Sequence, residues 1–201
     1  MYQIEIDYDN ALDYGAHWYG GETSKLPCIP NTDIRFYSIL SLDTANLPDD
    51  ANLDLNVPGN RLVLPHYINS DLITLDLHFQ FSEGEIKLLD GFVSTKVFVY
   101  DNEVDLKKRG VRFRKLPDSS CPGNKEFDPE MIESPHHQLA GSPYFIQLEG
   151  HLFHCPKCGN KGQFILQFDT DYDIEFCPGD GGTVYYWWCD QCKVLMTRVE
   201  M

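Results

Sequence analysis

The chain has 201 residues, and 31 acidic against 16 basic side chains give it a formal net charge of −15. With 42% hydrophobic residues it can bury a core, so we expect one domain spanning residues 1–201. The charge repels nucleic acid and attracts basic proteins, which argues against nucleic-acid binding. No apolar run approaches the roughly 18 residues of a membrane span, and the amino terminus does not resemble a signal peptide. We therefore expect a cytoplasmic protein without membrane contact.

The first half of the chain predicts β-strands separated by loops. Alternation at 2–8 predicts a first strand, and the glycines and proline between Gly20 and Pro27 predict turns. Further strands are predicted at 34–43, 62–64, 71–81 and 91–100, with a surface loop at 46–60. The predicted fold class is therefore α+β, mainly β.

Residues 107–115 contain six of the sixteen basic side chains. They could contact an anion or a nucleic acid, or they could form a solvated edge strand whose charges discourage edge pairing. We favour the edge strand. The connection that follows contains four prolines between residues 116 and 135, and it predicts at most a short helical turn at 129–133.

The carboxy-terminal part repeats a pattern from the first part. Segment 17–21 reads His-x-x-Gly-Gly and precedes an apolar strand that ends at Asp43. Segment 137–141 reads His-x-x-Ala-Gly and precedes a strand that ends at Asp169. Chance similarity is the alternative to an internally duplicated β unit, in which residues 137–201 form the carboxy-terminal repeat. Trp187 and Trp188 are neighbours on a predicted strand, so one should face the core and the other the surface.

Four of the seven cysteines form two Cys-x-x-Cys pairs, Cys155 with Cys158 and Cys189 with Cys192. Two such knuckles can direct four thiolates at one ion, which is the ligand set of a closed tetrahedral Zn²⁺ site. Thirty residues separate the pairs, more than the roughly 15–20 of most zinc ribbons. Redox chemistry and a catalytic metal are alternatives. We favour a structural zinc in a zinc-ribbon-like carboxy-terminal lobe, because four thiolates leave no position for water.

The other reactive side chains give weaker signals. Four histidines lie near the first knuckle: His136, His137, His151 and His154. His151 or His154 could bind metal, and we favour a hydrogen bond near the site for His154. The remaining thiols are interpreted as ordinary: Cys28, Cys121 and Cys177. Nucleophile-elbow, phosphate-loop and dinucleotide motifs are missing from the sequence, so we predict that the protein is not an enzyme.

Three stretches carry a family resemblance: 137–143 (His-Gln-Leu-Ala-Gly-Ser-Pro), 164–169 (Phe-Ile-Leu-Gln-Phe-Asp) and 179–186 (Gly-Asp-Gly-Gly-Thr-Val-Tyr-Tyr). They resemble the YwqG-like family, whose function is unknown. Ala140 departs from the double glycine of that family, and the four-cysteine site is not general in it. The paired cysteines beside this motif are similar to those of the programmed-cell-death-two family, which acts by binding client protein. Neither resemblance implies a catalytic residue.

These features predict a non-catalytic protein-binding module with a basic protein partner. Its sharpest form is an immunity-type protein that neutralises a basic toxin such as a nuclease, since charge complementarity gives fast association. YwqG-like proteins look like frequent neighbours of toxin systems. The alternatives are a chaperone-like holder of a basic client protein and a small hydrolase that uses a histidine of residues 136–154. The predicted partner-binding residues alternate with apolar or neutral residues between two strands: Asp169, Asp171, Asp173 and Glu175.

Overall fold

The computed structural model describes residues 1–8, 15–21, 26–28, 36–68, 76–90, 106–116, 137–146, 153–178 and 181–200. These residues form one curled antiparallel sheet with the shape of a half-barrel. Its eleven strands within the described ranges are β1 (Tyr2–Ile6), β2 (Trp18–Tyr19), β3 (Tyr37–Asp43), β4 (Arg61–His66), β5 (Leu77–Ser82), β6 (Glu85–Asp90), β7 (Arg109–Lys115), β8 (Gln138–Leu139), β9 (Gln163–Asp169), β10 (Thr183–Cys189) and β11 (Val194–Glu200). The prediction of a mainly β chain is confirmed.

Helical structure in the described ranges is limited to short 3₁₀ turns: Thr44–Asn46, Asp49–Ala51, Pro58–Asn60 and Tyr172–Ile174. Helices therefore contribute little to the described residues, although the predicted class was α+β. None of these helices is long and apolar enough to cross a bilayer. The strand predicted at 91–100 and the helical turn predicted at 129–133 lie outside the described residues.

The strand order is β4-β3-β2-β7-β1-β8-β9-β10-β11-β5-β6. The basic strand β7 therefore lies inside the sheet, paired with β1 and β2, and the edge-strand prediction is wrong. Acidic neighbours make this position possible: Arg114 donates to Glu5 on β1 at 2.5 Å, and Lys115 pairs with Asp50. Cross-strand pairs of opposite charge stabilise a sheet where like charges would oppose pairing.

Two three-strand units flank the central β7–β1 pair and have matching geometry. The first is β2–β3–β4 and the second is β8–β9–β10, with β2 against β7 and β8 against β1. The register between the second and third strand shifts at one residue in each unit, at Ile39 and at Ile165. The same irregularity thus falls at the same place in both units.

A buried histidine makes equivalent hydrogen bonds in each unit. The Nδ1 atom of His17 accepts the backbone N–H of Asp43 at 3.3 Å, and Nδ1 of His137 accepts that of Asp169 at 3.1 Å. The Nε2 atom of each ring lies within 3.2 Å of an oxygen in the turn that follows. Since Nδ1 is an acceptor, the proton of each neutral ring sits on Nε2. The repeated histidine and aspartate in the sequence mark these hydrogen bonds.

The residue after each two-residue strand has a left-handed backbone. Gly20 has φ +67° and donates its N–H to the oxygen of Ile39, while Ala140 has φ +60° and donates to Ile165. A Cβ on Gly20 would lie 2.7 Å from the carbonyl oxygen of Lys107, closer than real Cβ contacts. Only glycine fits the first position, whereas the second accommodates a methyl group.

We expect Gly20→Ala to lower the free energy of unfolding by about 2–3 kcal/mol, because it adds backbone strain and a collision with a backbone oxygen. The matched variant Ala140→Gly should change it by less than about 1 kcal/mol, since it relieves strain but loosens the unfolded chain and removes a buried methyl group. Urea unfolding of both variants measures this difference. Equal changes in the free energy of unfolding for the two variants would contradict the conclusion that only the first turn requires glycine.

Candidate metal centre

The four paired cysteines come together at one end of the sheet. The sulfur atoms of Cys155, Cys158, Cys189 and Cys192 all lie within 4.8 Å of one another. The Sγ atoms of Cys158 and Cys189 are 3.6 Å apart, far longer than a disulfide of about 2.05 Å. A tetrahedral cation with metal–sulfur bonds of about 2.3 Å would separate its ligands by about 3.8 Å. The cluster therefore fits one four-coordinate metal ion.

The first knuckle is the tip of a short hairpin formed by residues 153–162. Cys155 donates its N–H to the oxygen of Asn160, and Gly162 donates to that of Phe153, both at 2.8 Å. Gly159 donates to the oxygen of Cys155 at 2.8 Å and has φ +73°. Glycine suits this position because a left-handed residue is needed to close the turn.

The second knuckle is the turn that joins β10 to β11, and Asp190 holds it. One carboxylate oxygen of Asp190 accepts from Lys193 Nζ at 2.9 Å, from the Asn56 N–H at 3.0 Å and from Trp188 Nε1 at 3.2 Å. Partial burial acts to raise the pKa of Asp190, but the hydrogen bonds from Lys193 and Trp188 outweigh it and lower the pKa. The charged carboxylate of Asp190 therefore holds the second knuckle in place.

Gln80 on β5 connects the two knuckles. Its Oε1 accepts from Lys157 Nζ in the first knuckle at 2.6 Å, and its Nε2 donates to the oxygen of Cys192 in the second at 2.6 Å. Such supporting contacts orient metal ligands. The sequence offers no signal for this role, because Gln80 is over 70 residues from either knuckle and reaches them only through the pairing of β5 with β11.

A small aromatic cluster lies beneath the cysteines, on the face of β10 opposite the main core. The ring of Phe153 stacks on Trp187 at 4.0 Å, and Cys155 and Cys189 belong to the same buried cluster. Trp188, on the other face, belongs to the main core. The two tryptophans do face opposite ways, but Trp187 is 4% exposed, so neither is a surface residue. An apolar surrounding of this kind shields metal–sulfur bonds from water.

The thiols influence one another electrostatically. Burial is the main cause that raises the pKa of Cys189 to about 12, and the sulfur atoms of Cys155 and Cys158 add to it. Burial likewise raises the pKa of Cys192, whereas a backbone N–H from Asn160 lowers that of Cys158. A bound divalent cation lowers the pKa of these thiols, because it binds the thiolate form and displaces the protons.

The four acidic residues predicted to contact a partner do not share one environment. Asp173 and Glu175 are exposed, and Asp169 is partly buried, with its carboxylate accepting from Thr183 Oγ1 at 2.7 Å. Asp171 is 2% exposed, so it cannot be a surface contact, and this part of the prediction needs correction. The alternation predicted that these residues point the same way from the connection between two strands, but residues Tyr172–Ile174 form a 3₁₀ turn that directs Asp171 inward.

The buried Asp171 carboxylate joins three parts of the chain. Its Oδ2 accepts from Tyr8 Oη at 2.6 Å and lies 3.2 Å from His137 Nε2, and its Oδ1 accepts the Asp173 N–H at 3.0 Å. Burial acts to raise the pKa of this carboxyl, but the hydrogen bonds from His137 and Tyr8 outweigh it, and the pKa is lowered. Both nitrogens of His137 are thus engaged in holding the fold.

The remaining candidates are not part of the cysteine cluster or lie outside the described residues. His154 is exposed and forms a backbone bridge with Lys161. Cys28 is an exposed free thiol, and Cys177 is a partly buried cysteine. The candidates outside the described ranges are His136, His151 and Cys121.

Chemically, the cluster can bind one metal ion of tetrahedral preference with ligands that all come from the chain. Four thiolates complete such a shell and leave no position for water or a substrate, so the arrangement suits a structural metal. No protein-family model, curated protein or solved structure matches the chain.

Proposed function

We propose that the chain is a zinc-stabilised, non-catalytic module that binds a basic protein partner, and in its sharpest form an immunity-type protein that neutralises a basic toxin. The observation that carries the proposal is the acidic turn, residues 171–176. It presents an exposed aromatic ring and two exposed carboxylates on a chain with 31 acidic and 16 basic side chains. Such a surface attracts basic proteins at long range.

The metal in this proposal is Zn²⁺, held by Cys155, Cys158, Cys189 and Cys192. Four thiolates in a tetrahedral arrangement are the usual ligands of structural zinc. Iron accepts the same ligand set, and elemental analysis of the purified protein separates the two. Bound zinc would fix the two knuckles and the aromatic cluster below them.

We further propose that the two three-strand units descend from one duplicated β unit, with residues 137–201 as the copy that acquired the metal site. Matching hydrogen bonds of His17 and His137 and matching register shifts at Ile39 and Ile165 support this proposal. The single domain over residues 1–201 and the likeness to the YwqG-like family stay predictions.

The acidic turn has a rigid base. Ile174 and Phe176 are buried in the main core, and two backbone hydrogen bonds join Asp171 to Phe176, at 2.8 and 3.0 Å. Tyr172, by contrast, is 74% exposed, and the neighbouring Asp173 and Glu175 are exposed as well. Tyrosine is enriched among residues that dominate binding energy, and flanking carboxylates accelerate association. A preordered turn of this kind loses little entropy on binding.

We expect the double variant Asp173→Lys, Glu175→Lys to slow association with the basic partner and to flatten its salt dependence, because rim charges act mainly on the association rate. The matched control is Asp49→Lys, Asp54→Lys, which changes the net charge equally at exposed positions elsewhere. The measurement is the association rate of a partner recovered from native lysate, at salt concentrations from about 0.05 to 0.5 M.

Equal slowing by both double variants would mean that overall charge acts without the turn, and unchanged rates in both would contradict an acidic interface. If the complex forms, an activity assay of the partner separates the two versions of the proposal. Stoichiometric loss of its toxicity supports an immunity protein. An active partner that is only kept from aggregating supports a chaperone-like holder.

A further inference from the structure

His66 is a buried histidine without a hydrogen bond. It is the last residue of β4, it is 0% exposed, and neither Nδ1 nor Nε2 has a hydrogen-bond partner among the described residues. His17 and His137, by contrast, each use both ring nitrogens. Buried polar groups without partners are rare in folded proteins, so the position of His66 calls for an explanation.

Two aromatic rings pack against His66. The ring of Tyr67 stacks on it with centroids 4.3 Å apart, and the ring of Phe176 lies at an angle to it with centroids 6.1 Å apart. Phe176 is 0% exposed and closes the acidic turn: its backbone N–H donates to the oxygen of Asp171 at 3.0 Å, and its oxygen accepts the Asp171 N–H at 2.8 Å. His66 is therefore a neighbour of the buried base of the acidic turn.

The two strands that carry this end of the sheet bring no counter-ion to His66. Tyr37 lies directly opposite it on β3, and a tyrosine side chain is uncharged near neutral pH. The charged residues of the β3–β4 pair, Asp43 and Arg61, lie opposite each other at its far end. A positive charge on His66 would therefore find no partner within this pair of strands.

The groups on the other elements do not stabilise a charged ring either. Burial alone lowers the pKa of the His66 imidazole to about 3. Burial also raises the pKa of Tyr67 and that of Tyr186 on β10, whose hydroxyl interacts with Tyr67, so both phenols stay neutral. The Asp171 carboxylate of the acidic turn is engaged in hydrogen bonds with other parts of the chain. A protonated His66 is therefore strongly disfavoured inside the core.

The place of His66 in the sheet allows a local opening. Strand β4 stands first in the strand order and pairs, among the described strands, with β3 alone. Pro65 precedes His66 and has no N–H to donate, and the register with β3 shifts between Ser38 and Leu40, beside the last two pairs of β4. Segments with few backbone hydrogen bonds open at a lower free energy than the centre of a sheet.

We propose that His66 makes the acidic turn acid-sensitive: when its ring takes up a proton it leaves the core, and Phe176 and the turn are released with it. The exposed ring has its ordinary pKa near 6.5, well above that of the buried ring, so only the open form binds the proton. Opening therefore becomes more favourable as the pH falls below about 6.5. Release of a bound partner in acidic surroundings would follow, and this consequence alone rests on the proposed function.

The test needs no partner: hydrogen exchange of the full chain with zinc bound, read by NMR at the Asp171 and Phe176 amides at about pH 7.5 and about pH 5. Protection relative to the intrinsic exchange rate should fall about thirtyfold more in the parent than in His66→Phe, which keeps the aromatic contacts but cannot bind a proton. The control His154→Phe makes the same change at an exposed histidine and should match the parent. Both pH values lie above the range in which Asp171 loses its charge.

The amides of β11 report global unfolding in the same experiment, and zinc content is measured at each pH. An equal fall in the parent and in His66→Phe would overturn the proposal, and so would an equal loss of protection in the turn and in β11. If His66→Phe does not fold, the ring signals of His66 in the parent decide. They should show a neutral ring in the folded protein down to about pH 5, whereas a titration near pH 6.5 would overturn the proposal.

Discussion

Replacing Cys155 by serine is expected to abolish zinc binding and to unfold the carboxy-terminal part of the sheet at room temperature. The binding energy of a structural zinc is also folding energy, on the order of 10 kcal/mol in small peptides, while whole domains are stable by about 5–15 kcal/mol. The loss of one buried thiolate therefore removes a large share of the free energy of unfolding. Zinc per chain by elemental analysis and unfolding in urea measure the two effects.

The matched control is Cys28→Ser, which replaces an exposed thiol outside the cluster and should keep both the zinc and the stability of the parent. Fluorescence of Trp187 follows the unfolding, because its ring packs directly beneath the cysteines. Removal of zinc from the parent with a chelator should reproduce the Cys155→Ser result. A Cys155→Ser variant with full stability would show that the cluster does not hold the fold together.

The second large effect is expected at the buried histidine of the second unit. His137→Ala removes a donor to the buried Asp171 carboxylate and an acceptor for the Asp169 N–H, and it opens space beside Phe168, whose ring stacks on His137 at 3.9 Å. Leaving a buried carboxylate and a buried N–H without this partner, beside a new cavity, costs about 2–5 kcal/mol. His154→Ala, at an exposed histidine, should change the free energy of unfolding by less than about 0.5 kcal/mol.

The same network predicts a pH dependence. The pKa of Asp171 in the folded protein lies below its ordinary value, so the ionised carboxylate stabilises the fold. This stabilisation is complete above about pH 5, beyond the unfolded pKa near 3.9, and it is lost as the pH falls through the folded pKa. The difference in unfolding free energy between the parent and Asp171→Asn should therefore be constant above about pH 5 and shrink below about pH 4. A difference that grows on acidification would contradict this assignment.

The four-cysteine cluster could be predicted from sequence because its signal is local. Two Cys-x-x-Cys turns bring their own sulfur pairs together, and only the meeting of the two pairs depends on the fold. The supporting residues Gln80 and Asp190 carry no such signal. Their roles follow from the pairing of β5 with β11 and from the contact of Asn56 with the second turn, and neither is visible in the sequence.

Charge patterns were less reliable guides to position. Residues 107–115 suggested an edge strand, yet β7 is central, and acidic groups on β1 and in the Asp49–Ala51 turn pair with two of its cations, Arg114 and Lys115. Alternation likewise suggested that Asp171 is exposed, but a 3₁₀ turn directs it inward onto His137. The repeated histidine motif was more informative, since its hydrogen bonds recur in both units.

The central claim is that a closed four-thiolate zinc site holds the module together without taking part in a reaction. X-ray absorption at the zinc edge of the purified protein tests it most directly. We predict one zinc per chain with four sulfur neighbours at about 2.3 Å. A shell with nitrogen or oxygen at about 2.0–2.2 Å, or a protein that contains no zinc, would contradict the claim.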